Sequence, residues 1–203
     1  TGVIHISAKG GACMVSVGAV LFAGGKSRRM GTDKASLTLH GDTFLQRIAG
    51  ELSPFPEKLL SVDDPDRYPQ LPWLHVTDEK PGCGPLGGLC AVLRACRSEA
   101  LLVVSCDLPL YERRLGDYLC GRLQEPFDAV VSTTPDGTHP LCAVYRKRCL
   151  PIFETHLASG DYRIRFALQD LRVRYADVGD MAPMLQNINT PQEYHDLLVH
   201  SPR

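Results

Sequence analysis

Residues 17–34 read VGAVLFAGGKSRRMGTDK, and this stretch decides how the rest of the chain is interpreted. An apolar run, residues 17–22, turns into Ala23, Gly24 and Gly25. Four cations follow within nine residues: Lys26, Arg28, Arg29 and Lys34. Because two glycines let the backbone turn with its N–H groups facing outward, this order predicts a strand, a turn and a loop that binds a polyphosphate. A plain turn followed by a solvated basic patch is the alternative.

The length and composition are those of an ordinary globular protein. The chain has 203 residues, 44% hydrophobic and 22% charged, which predicts one domain over residues 14–203. Lys and Arg total 22 against 23 Asp and Glu, for a formal charge of −1. This balance argues against a nucleic-acid partner, since nucleic-acid surfaces usually make a domain strongly basic. Residues 1–13 show little periodicity and are interpreted as an N-terminal extension, disordered or non-native, with Met14 a candidate natural start.

The cysteines and the apolar segments bear on where the protein works. None of the eight cysteines forms a Cys-x-x-Cys pair, and most lie in apolar segments. Buried cysteine commonly behaves as a small apolar residue, so we expect reduced core thiols in a cytoplasmic protein. No window reaches the roughly 18 apolar residues that a spanning helix needs, so no membrane partner is expected.

Apolar patterns predict strands and helices in alternation. Apolar runs predict strands at residues 17–22, 58–62, 73–76, 100–105, 127–132, 140–145 and 173–176. Helical spacing predicts helices around residues 45–52, 86–96, 115–119, 150–157, 164–171 and after Thr190-Pro191. Residues 80–89, KPGCGPLGGL, are interpreted as a glycine- and proline-rich connection that enters a helix. The alternation predicts a three-layer, Rossmann-like α/β fold with a mostly parallel, mixed central sheet.

Polar groups follow three of the predicted strands. They are the basic loop, Asp78 and Asp107. Because the carboxyl ends of parallel strands meet at one edge of a sheet, we expect these three groups at that edge. Asp107, just beyond residues 100–105, is a candidate Mg²⁺ ligand, because Mg²⁺ takes one or two carboxylates together with phosphate oxygens and water. The alternative is that Asp107 caps a helix beginning near Pro109.

Several further residues give weaker signals. Lys34 either reaches a phosphate or is simply exposed, and Asp78 either accepts hydrogen bonds from a nucleoside or ends a strand. Glycines near residues 84–88 either form turns or allow close approach to a base. Arg163 could bind an acceptor phosphate through its guanidinium group. The ordinary interpretation of Arg163 is a solvated surface residue, and that of His139 is a histidine in a turn. A structural turn would explain Asn187 and Asn189.

Taken together, the motifs resemble those of the molybdenum cofactor guanylyltransferase family. They are residues 22–31 (FAGGKSRRMG) with Asp33-Lys34, then residues 84–86 (GPL), 106–109 (CDLP), 139–140 (HP) and 187–191 (NINTP). They occur in order and span about residues 15–200. The resemblance implies a nucleotidyltransferase fold and transfer of GMP from GTP to the phosphate of molybdenum-bound molybdopterin, with release of pyrophosphate.

The resemblance also implies a set of site residues. The catalytic residues would be Lys34, Arg28 and Asp107, with Asp107 holding Mg²⁺. GTP would be bound by Phe22, Ala23, Gly24, Gly25, Lys34, Ser61, Asp78, Gly84, Pro85, Leu86 and Asp107. The acceptor would be bound by His139, Arg163, Asn187 and Asn189. Molybdenum-insertion proteins and molybdoenzyme chaperones are the implied partners beyond GTP and molybdopterin.

Two positions depart from the family pattern, and two rival functions remain. Phe22 stands where the family usually has Leu, and Ser61 lies where an Asn commonly helps to bind GTP. One rival is transfer of another base, as in molybdopterin cytidylyltransferases, but Gly24-Gly25 and residues 84–86 favour guanine. The other is a non-catalytic GTP-binding protein that delivers the cofactor, which Asp107 beside the basic loop disfavours.

Overall fold

The structure is a computed structural model that describes residues 15–24, 33–78 and 82–200. Nine strands and six α-helices are present in these residues. The strands are β1 (Val17–Phe22), β2 (Thr38–Leu39), β3 (Asp42–Thr43), β4 (Lys58–Val62), β5 (Leu74–Thr77), β6 (Ala100–Ser105), β7 (Ala129–Thr134), β8 (Gly137–Arg146) and β9 (Val173–Asp177). The helices are α1 (Phe44–Leu52), α2 (Gly84–Ala95), α3 (Arg113–Cys120), α4 (Leu150–Ser159), α5 (Ile164–Ala167) and α6 (Pro191–His200).

Seven strands form one twisted sheet in the order β5-β4-β1-β6-β8-β7-β9. β8 is antiparallel to both of its neighbours, and the other pairs are parallel. β1 and β6 lie side by side in the middle, and every residue of both is buried, as their continuous apolar runs predict. The sheet therefore has a carboxyl edge, where all its strands except β8 end, and an amino edge, where they begin.

Helices cover both faces of the sheet. One buried apolar cluster joins the sheet to α1, α3 and the 3₁₀ segment Gly179–Leu185. A second cluster joins the other face to α2, α4 and α5. The prediction of a three-layer α/β fold with a mostly parallel, mixed sheet is therefore confirmed. No helix in the described part of the chain has both the length and the hydropathy needed to cross a lipid bilayer.

Local signals account for three of the helix ends. Thr43 and Gln46 form a capping box that starts α1. Gly160, with φ of 80°, ends α4 in the left-handed conformation that glycine adopts without strain. Thr190 accepts a hydrogen bond from the Glu193 backbone at the start of α6. These caps satisfy backbone groups that a helix end otherwise leaves unpaired.

The structure differs from the predictions in two places near the site. The connection at residues 80–89 is shorter than predicted, because α2 begins at Gly84 and takes in the glycines that suggested a turn. Pro85 fits there, since the first turn of a helix needs no donor from it. In addition, no helix begins near Pro109 in the described residues; α3 begins at Arg113, after Glu112.

Candidate active site

The ends of three neighbouring strands lie at the same level on the carboxyl edge. Phe22 pairs in register with Ser105 of β6 and with Ser61 of β4. Just beyond the strands, Cys106 N donates to Phe22 O at 2.9 Å and Ala23 N donates to Ser61 O at 2.9 Å. This register brings the turn after β1, Ser61 and the residue after Cys106 to one rim.

Gly24 follows β1 in a position with little room. A Cβ atom at Gly24 would lie 3.2 Å from the backbone nitrogen of Asp63 and 3.2 Å from the carbonyl carbon of Val62. Both are backbone atoms, which give way less easily than the end of a flexible side chain. The chain therefore leaves β1 against the end of β4, and a glycine suits this close approach.

Lys34, Asp107 and Asn189 meet at this rim, although they are far apart in sequence. Lys34 Nζ donates to Asn189 Oδ1 and lies 4.0 Å from Asp107 Oδ2. The Ile188 backbone N–H donates to Asp107 O at 2.9 Å, which ties the segment before α6 to the end of β6. The Lys34 and Asp107 side chains are 17% and 22% exposed, so a ligand could reach both.

One oxygen of Asp107 has unmet bonding capacity. Oδ1 is buried and has no hydrogen-bond partner among the described residues. Leaving a buried carboxylate oxygen unpaired costs free energy, and native structures rarely keep such a group without a functional reason. Because α3 begins at Arg113, Asp107 does not cap a helix. Its position after a buried strand instead suits a cation or a hydrogen-bond donor supplied by a ligand.

The chemistry of this carboxylate fits magnesium. Mg²⁺ binds oxygen ligands and typically uses one or two carboxylates, with phosphate oxygens and water filling the other positions. In the described residues, no group of three or more His, Cys, Asp or Glu side chains is arranged to hold a metal ion. Asp107 with an unpartnered oxygen matches a site that a nucleotide phosphate would complete.

Asp78 follows β5 and lies against α2. A Cβ atom at Gly87 would lie 2.7 Å from Asp78 Cγ and would overlap its carboxylate oxygens. At Gly88, a Cβ would lie 2.9 Å from Phe22 Cε1 and 3.2 Å from Ser61 Oγ. The two glycines therefore let α2 approach the ends of β1, β4 and β5 closely. This packing explains the glycines that the sequence alone presents as turn formers.

The start of α2 contributes the remaining predicted nucleotide residues. Gly84 has a φ of 62°, which favours glycine, and Gly84 and Pro85 are both exposed. Leu86 is fully buried in the apolar cluster of this face. Beside Asp78 lies an open groove of about 270 Å³ between α2 and α4, lined by Asp78, Gly87, Cys90, Ala91, Arg94, Glu154, Leu157 and Ala158.

His139 lies near the same rim because β8 runs antiparallel to β6. Its Nε2 is 3.1 Å from Thr134 Oγ1. Burial lowers the pKa of His139, and the negative charges of Asp136 and Asp107 oppose that effect only in part. A neutral imidazole within the electrostatic influence of Asp107 is therefore available to accept or donate a hydrogen bond.

Two of the predicted acceptor residues are not brought into contact with Lys34 or Asp107 in the described residues. Arg163 directs its Nε and Nη2 groups to Asp161, at 2.9 and 3.1 Å, and its guanidinium lies 3.8 Å from the centre of the Phe166 ring. Asn187 is exposed, whereas Ile188 is buried and Asn189 is half-buried. Asn189 alone of these three polar residues joins the Lys34–Asp107 group.

Comparison with known proteins identifies the family of the chain. Residues 19–177 match the MobA-like NTP transferase domain. The chain belongs to this family. It is 35% identical to a probable molybdenum cofactor guanylyltransferase of Chloroflexus aggregans, over 86% of this chain and 89% of that protein. It is 31% identical to a protein of the same name from Carboxydothermus hydrogenoformans, over 91% and 96% of the two chains.

A solved structure shows the same fold. The molybdopterin-guanine dinucleotide biosynthesis protein A of Archaeoglobus fulgidus superposes with a TM-score of 0.79, over 89% of this chain and 96% of that one. Its sequence identity is 22%, so this likeness supports the fold alone. The resemblance inferred from the motifs is confirmed. The matched residues 19–177 include Lys34 and Asp107 of the rim, whereas Asn189 follows them in the sequence.

Part of the predicted site of this MobA-like domain lies outside the described residues. The predicted site residues Gly25, Lys26, Arg28 and Arg29 belong to that part. The predicted extension at residues 1–13 also lies outside the described residues. Sequence reasoning also missed a group beside Lys34, formed by Asp33, Arg67 and Tyr68. Asp33 belongs to the Asp33-Lys34 motif, but for Arg67 and Tyr68 the available signal was the i,i+4 spacing of Asp63 and Arg67, which is too common on protein surfaces to indicate a site.

Proposed function

We propose that this chain transfers GMP from GTP to the phosphate of molybdenum-bound molybdopterin, forming the guanine dinucleotide cofactor and pyrophosphate. The single observation that carries the proposal is the meeting of Lys34, Asp107 and Asn189 at the carboxyl edge, with a buried Asp107 oxygen that lacks a partner among the described residues. The relatives' names supply the identity of base and acceptor.

Electrostatic positioning is the main task of such a site. The phosphate acceptor is already an anion and needs little help from a general base, but it must approach a second anion. Lys34 would bind the triphosphate and offset the negative charge that develops on the α-phosphoryl group and the departing pyrophosphate. Arg28 is proposed to assist it. Holding both anions in line accounts for a large part of the rate enhancement in reactions of this kind.

Asp107 is the residue that would hold Mg²⁺. Its unpartnered oxygen is the observation that supports the fit, because it leaves a hard anionic ligand available at the rim. When bound, Mg²⁺ would neutralise phosphate charge and polarise the phosphoryl group. Lys34, 4.0 Å from the other oxygen, would limit the repulsion between Asp107 and incoming phosphates.

The nucleoside would lie toward β5 and α2. Phe22, Ala23 and Gly24 would offer backbone groups to GTP at the turn after β1. Asp78, fixed against Gly87, would accept hydrogen bonds from the guanosine part. Ser61 is proposed to take the place of the Asn that the family resemblance implies at this position. Gly84, Pro85 and Leu86, at the start of α2, are proposed to lie on the side of the base.

The acceptor would lie on the opposite side of Asp107. Asn189 uses its Oδ1 to accept from Lys34, so its amide nitrogen would be the group that donates to the acceptor phosphate. His139 is proposed to contact the same ligand. Arg163 and Asn187 are also proposed to bind it, although neither contacts Lys34 or Asp107 among the described residues. The seven cysteines described are free thiols, which supports a reducing compartment, and we propose the cytoplasm.

A pyrophosphate-release assay tests the proposed function. Purified protein is incubated with Mg²⁺ and each of the four nucleoside triphosphates, with and without molybdenum-bound molybdopterin. We expect release only with GTP together with the acceptor. Release with CTP instead would support the cytidylyl alternative, and GTP binding without pyrophosphate release would support a delivery protein. Either result would refute guanylyl transfer by this chain.

A further inference from the structure

A compact polar group lies beside Lys34 and is not part of the proposed substrate contacts. Its centre is the Asp33 carboxylate, which precedes the 3₁₀ turn Lys34–Ser36. Asp33 Oδ2 accepts from Tyr68 Oη at 2.7 Å and from Ser36 Oγ at 3.0 Å, and it lies 2.9 Å from Arg67 Nη2. Asp33 Oδ1 accepts from Ala35 N at 3.3 Å. One carboxylate thus joins the turn that carries Lys34 to the segment after β4.

Arg67 extends this group to the end of β4. Its Nη1 donates to Asp63 Oδ1 at 2.6 Å, and its Nη2 donates to the Tyr68 hydroxyl at 2.7 Å. Asp63 is the residue whose backbone nitrogen limits the space at Gly24. The planar guanidinium therefore links the Asp33 carboxylate to Asp63 at the end of β4, and the Asp63 backbone lies close to Gly24.

Tyr68 is held in an uncommon backbone conformation. Its φ is 58°, in the left-handed region that residues with large side chains seldom adopt. The side chain is nevertheless well buried, with 9% exposure, and its hydroxyl accepts from Arg67 while donating to Asp33. Such a conformation costs free energy and persists where the surrounding contacts require it. Here the surrounding contacts include the hydrogen bonds to Asp33 and Arg67 and the packing of the ring in the apolar cluster that joins the sheet to α1 and α3.

The ionisation of the group agrees with its hydrogen bonds. Burial acts to raise the pKa of Asp33, but hydrogen bonds from Tyr68 and Arg67 outweigh it and hold the pKa below its usual value. Burial and the Asp33 hydrogen bond raise the pKa of Tyr68 well above its ordinary value. At neutral pH, Asp33 is therefore ionised and Tyr68 is protonated, which is the state that the donor and acceptor pattern needs.

We propose that Arg67 and Tyr68 are positioning residues for Lys34. Their hydrogen bonds hold the Asp33 side chain. Asp33 in turn caps the 3₁₀ turn Lys34–Ser36, which begins with Lys34. The Lys34 ammonium is thereby kept between Asn189 and Asp107 before a nucleotide arrives. This inference rests on the proposed function, because Lys34 belongs to the same phosphate-binding site. To the proposed phosphate-binding site it adds Asp33, Arg67 and Tyr68 as the residues that align Lys34.

Tyr68→Phe and Arg67→Met test the proposal in a double-mutant cycle with Lys34→Ala. Each single variant is expected to lower kcat/KM for pyrophosphate release about 10-fold to 10²-fold, because small misplacements of a catalytic group have effects of this size. In the Lys34→Ala background, the same changes should cost less than about twofold, since their effect passes through Lys34. Tyr118→Phe is the matched control, as its hydroxyl donates to Asp177 O far from this group.

Amide hydrogen exchange supplies a readout that does not depend on catalysis. The Ser36 and Leu37 N–H groups donate to Asp33 O and Lys34 O at 3.1 Å each. Faster exchange in a peptide covering residues 33–37 is expected for Tyr68→Phe and not for Tyr118→Phe. Arg67→Lys should lose less of this protection than Arg67→Met, since lysine keeps the positive charge but lacks the planar guanidinium.

The outcomes separate this inference from the proposed function. Equal losses of kcat/KM with and without Lys34 would overturn the positioning role, as would unchanged exchange at residues 33–37. If wild-type protein released no pyrophosphate from GTP, the proposed function would fail. The cycle would then be measured on the dissociation constant of any Mg²⁺-nucleotide that binds, and the exchange experiment would remain decisive for the group itself.

Discussion

Asp107 and Asp128 stand at opposite edges of the same sheet and are bonded in opposite ways. Asp128 precedes β7 at the amino edge, and both of its oxygens accept hydrogen bonds from arginines: Arg148 Nε at 2.7 Å, and the Arg172 backbone N–H at 2.9 Å. Asp107 follows β6 at the carboxyl edge, with one oxygen near Lys34 and the other unpartnered among the described residues. The two side chains are similarly shielded, 10% and 22% exposed.

This contrast is the one expected between a structural carboxylate and the ligand-binding carboxylate that we propose for Asp107. Glu57 at the amino edge behaves like Asp128, because it accepts from the backbone N–H groups of Arg97 and Ser98 at 2.7 Å each. Asp128 and Glu57 therefore both have donors from the protein itself, which stabilises the ends of strands. At the carboxyl edge, Asp107 retains an oxygen that a ligand could use. A buried polar group that the fold does not satisfy is the stronger indication of a ligand site.

The same substitution at both edges should give opposite results, and this is the largest effect we expect. Asp107→Asn removes the charge with little change in shape. It should lower turnover by on the order of 10² to 10³, because a single well-placed electrostatic group has effects of this size. Pyrophosphate release at saturating GTP and acceptor is the measurement. Turnover near the wild-type value would exclude Asp107 from the mechanism.

Asp128→Asn is the control for that experiment. It should leave turnover within about twofold and lower the free energy of unfolding by about 1–3 kcal/mol, since it weakens charged hydrogen bonds in a shielded position. A loss of turnover in Asp128→Asn as large as in Asp107→Asn would show that the two edges do not divide function from stability.

Lysines at the two edges provide the second comparison. Lys34→Ala should weaken GTP binding and lower turnover by on the order of 10 to 10² together, because Lys34 would contact the triphosphate in both ground state and transition state. Lys58 at the amino edge donates to Phe55 O at 2.7 Å. Lys58→Ala should therefore lower the free energy of unfolding without changing KM or kcat. Unchanged GTP affinity in Lys34→Ala would contradict the phosphate-binding role.

Glycines in two helices provide the third comparison. Gly87→Ala in α2 places a methyl group against the Asp78 carboxylate, so we expect about a tenfold weaker affinity for GTP, measured by calorimetry. Gly50 in α1 is exposed, and a Cβ atom there would meet nothing within 4 Å. Gly50→Ala should therefore stabilise the protein by about 0.5–1 kcal/mol without affecting GTP. Wild-type affinity in Gly87→Ala would show that Asp78 need not stay where it lies.

The sequence predicts the framework of the fold because the framework depends on local patterns. β1 and β6 are continuous apolar runs bounded by turns, and they match the predicted residues 17–22 and 100–105. The start of α2 was less visible, since Gly87 and Gly88 serve contacts with Asp78 and Phe22 that only the tertiary structure reveals. Glycine required for packing and glycine required for turning look the same in a sequence.

The site could be predicted in part for the same reason. A carboxylate after a buried strand indicates the ligand edge, and the structure places Asp107 there. The hydrogen bond from Lys34 to Asn189 joins residues 155 positions apart, and no local pattern encodes it. The contact of Tyr68 with Asp33 could not be predicted, because Tyr68 has a backbone conformation, with φ of 58°, that is not expected for tyrosine.

The smallest predicted effect concerns pH and tests whether the amino edge stabilises through charge. Burial acts to raise the pKa of Asp128, but hydrogen bonds from Arg172 and Arg148 outweigh it, so the pKa in the folded protein lies below the ordinary value of 3.8. A lowered folded-state pKa contributes stability that is present above about pH 4 and is lost as the pH falls through the folded-state pKa. Wild-type stability should therefore decrease on acidification, with Asp128 responsible for part of the decrease.

Asp128→Asn isolates that part, because asparagine does not titrate while Asp33, Glu57 and Glu193, whose pKa values are also lowered, titrate in both proteins. Urea unfolding followed by the fluorescence of the single tryptophan, Trp73, at pH 6, 4 and 3 is the measurement. The stability difference between wild type and variant should be largest at pH 6 and should shrink as the pH falls toward 3. Parallel stability curves would mean that Asp128 acts through packing and neutral hydrogen bonds, and the contrast with Asp107 would then rest on geometry and not on charge.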